Sequence, residues 1–490
     1  VTATVLGVDS STQACKVERR DVATGRLLGA GRAPHPAVTP PRSEQHPHAW
    51  RDALVAAVRQ ACPDGGADVV AISAAAQQHG MVVLDAQDTV LRPAKLWNDS
   101  ESAPQAQELR TMLTAAQWAQ ACGSVPVASF TITKLAWLAA SEPDVFARVA
   151  SVLLPHDWLT SWLCGRPATD RGDASGTGYW SPLDETWRLD LLQLVDPRPA
   201  WSAMLPEVLR PLDPAGTLTA DAAAALGLRR DVRVACGTGD NMAAALALAL
   251  QPGEAAVSVG TSGTVYAVSE HPVADASGAV AGFADASGRY LPLVCTLNAA
   301  RVTDTVATLL GCDADAFSAL ALQGAPGAHG VTLLPYFDGE RTPELPDATG
   351  TLTGLRTTTS RQDLARAAVE GVLCNLLDGL DALHSLGAVT ADSPLRLVGG
   401  GARSGAYRQI LADLAQRRVH VPPGDEHVAL GACVQAAACC AQESAADIAR
   451  RWQLGDCALA VDPSISAPDA QQVRSRYSEA VSPPWSTPPR

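Results

Sequence analysis

Cys236-Gly237-Thr238-Gly239-Asp240-Asn241 follows a short apolar run, Val232 to Ala235, and precedes an alanine- and leucine-rich run, Met242 to Leu250. That order predicts a strand, a glycine turn and a helix. Asp240 then lies just past the end of a strand, where open α/β sheets place their sites. The two glycines ahead of it let the backbone turn sharply and let a ligand come close. A carboxylate held there is a candidate general base for a hydroxyl.

Other stretches repeat the pattern of an apolar run that ends in small polar residues. Thr4 to Val8 reads as a strand, and Asp9-Ser10-Ser11-Thr12 follows, with Lys16 a little beyond. Such a turn offers close backbone approach, N–H and O–H donors and one acid for Mg²⁺, as a phosphate site needs. The same residues also suit a plain β-hairpin turn capped by Ser and Thr, and both readings stand at this point. Ala255 to Val259 runs into Gly260-Thr261-Ser262-Gly263-Thr264, which resembles the first unit and suggests duplicated domains facing one cleft. Leu395 to Val398 runs into Gly399-Gly400-Gly401-Ala402-Arg403-Ser404, where three glycines allow close contact with a flat or charged ligand.

A polyol surface has two candidates. Val69 to Ser73 reads as a strand ending in Ala74 to Ala76, then Gln77-Gln78-His79-Gly80. Gln and His at a strand end offer donors and an acceptor, although polar loop residues look the same. Lys95-Leu96-Trp97-Asn98-Asp99 sets an apolar ring beside an amide and an acid, as a sugar site would, although a lone Trp also suits a core. The sequon Asn98-Asp99-Ser100 is discounted for a cytoplasmic chain.

The remaining periodicities place the elements between these turns. His48 to Cys62 is predicted to be an amphipathic helix after a proline-rich loop, with His46 and His48 on the surface. Met81 to Leu84 reads as a strand, Ser129 to Trp137 as a loop entering a helix, and Pro155-His156-Asp157-Trp158 as a helix start. Thr169 to Trp180 reads as a polar loop or hairpin, Leu333 to Thr342 as a strand into a loop, and Gly350 to Leu355 as a turn. Ser360 to Leu383 is a long helix with Ser360 as N-cap and Asp363 in its first turn. Tyr407 to Gln416 is a further helix, Gly424 and Gly431 flank another helix start, and the tail from Asp462 is expected on the surface.

At 490 residues the chain is too long for one ordinary core, and two domains are expected, 1–246 and 247–490. Apolar residues make up 47% and charged residues 18%, which suits a globular protein. A net charge of −14 repels nucleic acid and anionic membrane, so neither is an expected partner. No apolar run approaches the ~20 residues of a membrane helix. Val1-Thr2-Ala3-Thr4 carries no basic region, so no signal peptide is expected there. The 12 cysteines form no CxxC pair, and Cys439-Cys440 are adjacent, which is poor bridging geometry. Free thiols in a reducing cytoplasm are expected. There is no Walker A sequence, no HExxH, and no GxGxxG opening a βαβ unit.

Taken together, these motifs resemble the FGGY family of carbohydrate kinases. Ser129-Phe130-Thr131-Ile132-Thr133-Lys134-Leu135-Ala136-Trp137 is similar to the family's first signature. Gly350-Thr351-Leu352-Thr353-Gly354-Leu355, followed by Arg366-Ala367-Ala368-Val369-Glu370-Gly371, is similar to the second. Gln78-His79-Gly80, Leu96-Trp97-Asn98-Asp99, Gly239-Asp240-Asn241, Gly260-Thr261-Ser262-Gly263, Gly339-Glu340-Arg341-Thr342-Pro343 and Gly399-Gly400-Gly401-Ala402-Arg403-Ser404 look like the versions in members that act on D-xylulose. The likeness spans roughly residues 4 to 440.

The resemblance implies a two-domain α/β fold of the actin/Hsp70-like (ribonuclease H-like) ATPase class with a deep interdomain cleft. It implies ATP and Mg²⁺ as cofactors, a small-molecule sugar as partner, and a homodimer as in many relatives. By the same resemblance, Asp240 is the base and joins Asp9 in holding Mg²⁺. Ser11, Thr12, Gln13 and Lys16, with Gly260 and Thr261, meet the phosphates. Gly399, Gly400, Gly401 and Ala402 lie at the adenosine end, while Gln78, His79, Trp97, Asn98, Asp99 and Asn241 meet the sugar. An aspartate of ordinary pKa is expected to suffice as base, because the proton leaves late in a loose transition state.

Three departures from the family pattern stand out. Ala14-Cys15 lack the usual small hydroxyl or glycine residues, Val17-Glu18-Arg19-Arg20 put charges where a strand is usually apolar, and Ala76 replaces a common Gly. The charges are expected to mark a sheet edge or a local loss of order. Kinases for L-ribulose, L-xylulose, gluconate or glycerol remain open, as do a nucleotide switch of the actin/Hsp70 type and a non-catalytic sugar-sensing relative.

Overall fold

The computed structural model describes residues 3–198 and 200–481; Val1, Thr2, Pro199 and the last part of the tail, 482–490, lie outside the described residues. The chain forms two compact units. The first comprises residues 1–250, 270–291 and 426–455, and the second 251–269, 292–425 and 456–490. The chain leaves the first unit after residue 250 and returns to it twice. Among the described residues no single helix is long and apolar enough to cross a membrane.

The first unit is built on a sheet ordered Pro214–Thr217, Arg233–Ala235, Val69–Ala76, Thr4–Ser10, Ala14–Asp21, Leu27–Pro34. Thr4–Ser10 runs antiparallel to Ala14–Asp21 and parallel to Val69–Ala76. Every residue of Thr4–Ser10 is buried, because helices cover both faces of the sheet. Helix Pro47–Ala61 packs on Ala14–Asp21 and Leu27–Pro34, and Trp50, Leu54 and Val58 join Leu6, Val8 and Ile72 in one core. Its predicted start shifts to Pro47, which suits a first helical position, and His46 and His48 are exposed as expected.

The other face is covered by a helix from late in the chain, His427–Ala441, which also packs on helix Asp240–Ala247. Gly431, expected at a helix start, lies within this helix. It permits the close helix contact: a Cβ there would sit 1.7 Å from the Ala243 carbonyl oxygen.

The charged segment forms an interior strand rather than an edge. Ala14–Asp21 lies between Thr4–Ser10 and Leu27–Pro34 and is mostly buried. Pairing makes this tolerable. The Arg19 guanidinium meets Asp64 at 2.7 Å and Asp68 at 2.5 Å, and Arg20 meets Glu18 at 2.6 Å. Thr169 to Trp180 is likewise buried rather than a loop: a short strand, Ala168–Asp170, leads into the helical turn Arg171–Ala174. Asp170 caps that turn, accepting from Gly172 N and Asp173 N, so the polar residues serve the backbone.

The second unit repeats the topology of the first. Ala255–Val259 is antiparallel to Gly263–Ala267 and parallel to Leu395–Val398, the relation Thr4–Ser10 bears to its neighbours. The duplication read from the sequence is therefore present in the strand order. Helix Arg361–Ser385 has the predicted capping box between Ser360 and Asp363. Gly350 to Leu355, expected as a turn, contains the strand Thr351–Thr353, paired with Thr332–Leu334; its threonines favour extended backbone. The tail from Asp462 is not all surface. It forms helix Ala467–Val481, and the buried Tyr477 hydroxyl lies 3.1 Å from that of Tyr336.

Candidate active site

Parallel register gathers the candidate residues of the first unit. Asp9 is level with Ala75 and Ser10 with Ala76, while Thr238 and Gly239 pair with the same Ala75 and Ala76. Three strands therefore end side by side, and Asp9, Gln77, Gln78 and Asp240 emerge at one carboxyl edge. Asp240 opens helix Asp240–Ala247, with Gly239 as its extended N-cap.

The Asp240 carboxylate is anchored through one oxygen. Its Oδ1 accepts from Asn241 N at 2.8 Å and from Asn241 Nδ2 at 2.9 Å. The second Nδ2 hydrogen goes to Gln78 Oε1 at 3.0 Å. Burial, and then the charge of Asp9, push the Asp240 pKa up to about 7 against these hydrogen bonds. The expectation of an ordinary aspartate pKa is corrected accordingly. Burial also raises Asp9, to about 6, against the pull of Lys16. Lys16 Nζ lies 3.4 Å from Asp9 Oδ2 and 2.7 Å from Glu426 Oε2. Asp9 Oδ1 is buried with no hydrogen-bond partner among the described residues. Two buried carboxylates with raised pKa values, one with an orphaned oxygen, fit a divalent cation.

The hairpin after Asp9 is a true β-hairpin with Ser11, Thr12 and Gln13 at its solvent-facing tip. Ala14 and Cys15 are buried at 1% and 0% exposure, so the missing hydroxyls fall at core positions. Thr12 Oγ1 accepts from Trp97 Nε1 at 3.0 Å and donates to Gln77 Oε1 at 3.2 Å, which ties the hairpin to the sugar candidates.

His79 sits at φ 63°, a conformation that a non-glycine residue keeps only when its surroundings enforce it. The ring is wedged between Phe130 and Phe283, with centroids at 5.0 and 5.6 Å, and Thr131 Oγ1 donates to its carbonyl. Nδ1 lies 2.7 Å from the Gly176 carbonyl and must donate to it, which makes Nε2 the acceptor of the neutral ring. Gln78 is buried, and its Nε2 has no partner among the described residues; the same holds for Asn98 Oδ1.

Asp99 is not brought to this group. Both its oxygens lie 3.1 Å from Lys95 Nζ, and they also accept from the amides of Ser43 and Glu101. Lys95 lies 3.8 Å from the centroid of the Trp137 ring, so the signature Trp stacks on a buried cation. The signature Lys134 spends its ammonium on the carbonyls of Ala128 and Ser129.

Sequence reasoning missed the support beneath the Asp240 turn. Thr238 Oγ1 donates to Asp170 Oδ2 at 2.7 Å. The neighbouring His156 Nε2 lies 3.0 Å from Asp157 and 3.4 Å from both Asp170 and Asp173. Burial alone would lower the His156 pKa, but the carboxylates, Asp157 foremost, push it up to about 9. Gln435 was missed too, although a lone amide in the apolar run from Ala429 to Ala441 is an available signal.

In the second unit, Gly260 and Thr261 follow one strand and Gly399 to Ala402 the adjacent parallel one. Thr261, Gly399 and Gly400 are exposed, while Gly401 and Ala402 are buried. Gly399 takes φ 81°, and a Cβ there would lie 2.7 Å from the Val259 carbonyl oxygen. The triple glycine thus lays bare backbone against the end of its neighbour.

Two carboxylates at strand ends, a histidine-amide set beside them and glycine turns on a repeated unit are the parts of a sugar kinase. Family models agree: residues 4–247 match the N-terminal domain and 255–440 the C-terminal domain of the FGGY family of carbohydrate kinases. The chain belongs to that family and has its two-domain, actin/Hsp70-like α/β fold. Among its relatives, the xylulose kinase of Streptomyces rubiginosus is 48% identical over 450 residues, 92% of this chain and 90% of that protein. The xylulose kinase of Streptomyces coelicolor is 47% identical over 449 residues, 91% of this chain and 90% of that protein. Among solved structures, the xylulose kinase from Bifidobacterium adolescentis is similar with a TM-score of 0.84 at 40% identity, covering 98% of this chain and 99% of that one.

Proposed function

We propose that this protein is an ATP-dependent kinase that converts D-xylulose to D-xylulose 5-phosphate. The observation that carries the substrate is the 48% identity to a xylulose kinase across 92% of the chain. In this reading Asp240 takes the proton of the 5-hydroxyl as that oxygen bonds to the γ-phosphorus of ATP and the bond to ADP breaks. Asn241 occupies Asp240 Oδ1, which leaves Oδ2 for the proton. A pKa near 7 suits a base that works around neutral pH.

Mg²⁺ held by Asp9 and Asp240 would neutralise the phosphates, which is the main requirement of a loose phosphoryl transfer; the orphaned Asp9 Oδ1 supports this pairing. Ser11, Thr12, Gln13, Lys16, Gly260 and Thr261 serve the β/γ-phosphates, and Gly399 to Ala402 the adenosine end. Gln78, His79, Trp97, Asn98 and Asn241 hold the ketose. The Gln78 Nε2, without a partner among the described residues, supports a donor to a sugar oxygen, and the His79 tautomer an acceptor. Asp99 backs this set through Lys95. Residues 1–246 then carry sugar and base, and 247–490 the nucleotide. The 12 cysteines, all free thiols, support a cytoplasmic location.

Asp240→Asn tests the assignment of the base. It is expected to lose at least about 100-fold in kcat. The calorimetric Kd for D-xylulose should stay within about 3-fold, because the amide keeps the shape of the site. A near-normal kcat would reject Asp240 as base.

A further inference from the structure

Gln435 lies in the middle of helix His427–Ala441, 2% exposed, and every polar atom of its amide is engaged. Ser73 Oγ donates to its Oε1 at 2.5 Å. Its Nε2 donates to the Gly237 carbonyl at 2.9 Å and to Cys236 Sγ at 3.3 Å. Ser73 belongs to the Val69–Ala76 strand, which delivers Gln78 and His79. Gly237 belongs to the turn that delivers Asp240, and it holds φ 79°. On the far side the same turn is tied by Thr238 to Asp170. One side chain from the end of the chain therefore joins the two backbone segments on which the base and the sugar candidates stand.

We propose that Gln435 is a positioning residue for phosphoryl transfer: it bridges Ser73 and the Cys236–Gly237 turn and thereby fixes the Asp240 carboxylate relative to Gln78. The inference rests on the reading of Asp240 as base. A buried carbonyl that loses its only side-chain donor must turn to find another, and the turn moves with it. Ser73, Cys236 and Gln435 are all buried, so removing the amide leaves buried partners unpaired. Gln435 itself touches neither the hydroxyl nor the phosphates.

Gln435→Met keeps length and bulk but removes both donors. The kcat with D-xylulose is expected to fall between about 10- and 100-fold, the effect of a small misplacement of a reacting group. KM for D-xylulose and for ATP should stay within about 3-fold, because neither ligand loses a contact. In the Asp240→Asn background the same change should alter the residual rate less than about 2-fold, since two residues that act as one unit are not additive. Ser73→Ala spares the Nε2 donors and should lower kcat by about 3-fold; it decides the matter if Gln435→Met does not fold.

An unchanged kcat alongside a lowered melting temperature would overturn the proposal, as would a full further loss in the Asp240→Asn background. Failure of the underlying reading is distinct: if Asp240→Asn keeps normal kcat, base and positioning role fall together. If Asp240→Asn is inactive and Gln435→Met keeps kcat, only the positioning role falls.

Discussion

Lys95 is fully buried, and its ammonium lies 3.1 Å from Asp99, 2.5 Å from Glu101 and 3.2 Å from Glu44, under the Trp137 ring. Lys95→Met would leave the buried Asp99 without its cation, while Glu44 keeps Arg92 and Arg42. It is expected to destabilise the fold by about 3–5 kcal/mol, the cost of breaking a buried ion pair, measured by urea unfolding. The KM for sugar of the folded fraction should change little, because the cluster stands behind the site. Asp99 shows what a sequence conceals at this scale. Trp97-Asn98-Asp99 has the composition of a sugar surface, but the partner that claims Asp99 is Lys95, four residues back in the same stretch. The placement of Asp9, Gln78, His79 and Asp240 was legible because each lies at or just past the end of an apolar run, and strand ends are where sites form. Gln435 was not, because its partners Ser73 and Gly237 lie far away in sequence and only the fold joins them.

At the scale of elements, the helix pair on the first sheet sets the position of Asp240. Helix Asp240–Ala247 begins at Asp240 and packs on His427–Ala441 through Gly431. Gly431→Ala would put a methyl group 1.7 Å from the Ala243 carbonyl oxygen, so the helices must part. Stability should fall by about 1–3 kcal/mol, as overpacking does, and kcat should fall with it as the helix carrying Asp240 shifts. Thermal melting and steady-state kinetics on the variant check both.

The strands themselves were well marked in the sequence, since apolar runs ending in glycine or hydroxyl residues leave little choice. The Ala14–Asp21 strand defeated that logic. Its charges suggested an edge, but Asp64 and Asp68 lie outside the strand and nothing local announces that they will meet Arg19. Thr169 to Trp180 defeated it in the same way, because Asp170 turned out to be a helix cap.

At the scale of the molecule, one topological theme is used twice: a hairpin flanked by a parallel strand, with its loops at the carboxyl edge. In the first unit that edge carries Asp9 and Asp240, and in the second unit it carries the glycine turns. The repeat was legible because both hairpins have the same order of apolar run and small residues. The return of 426–455 to the first unit was not, because it depends on packing and leaves no mark in composition.

D-xylulose kinase activity is read from ADP release by the full chain across D-xylulose, L-ribulose, L-xylulose, gluconate and glycerol, with Mg²⁺ and with EDTA. D-xylulose with Mg²⁺ is expected to give a kcat/KM at least about 10-fold above every other acceptor, a margin that differences in hydroxyl contacts supply, and EDTA to abolish turnover. A higher kcat/KM for another acceptor, or ADP release that no sugar stimulates, would contradict D-xylulose kinase activity.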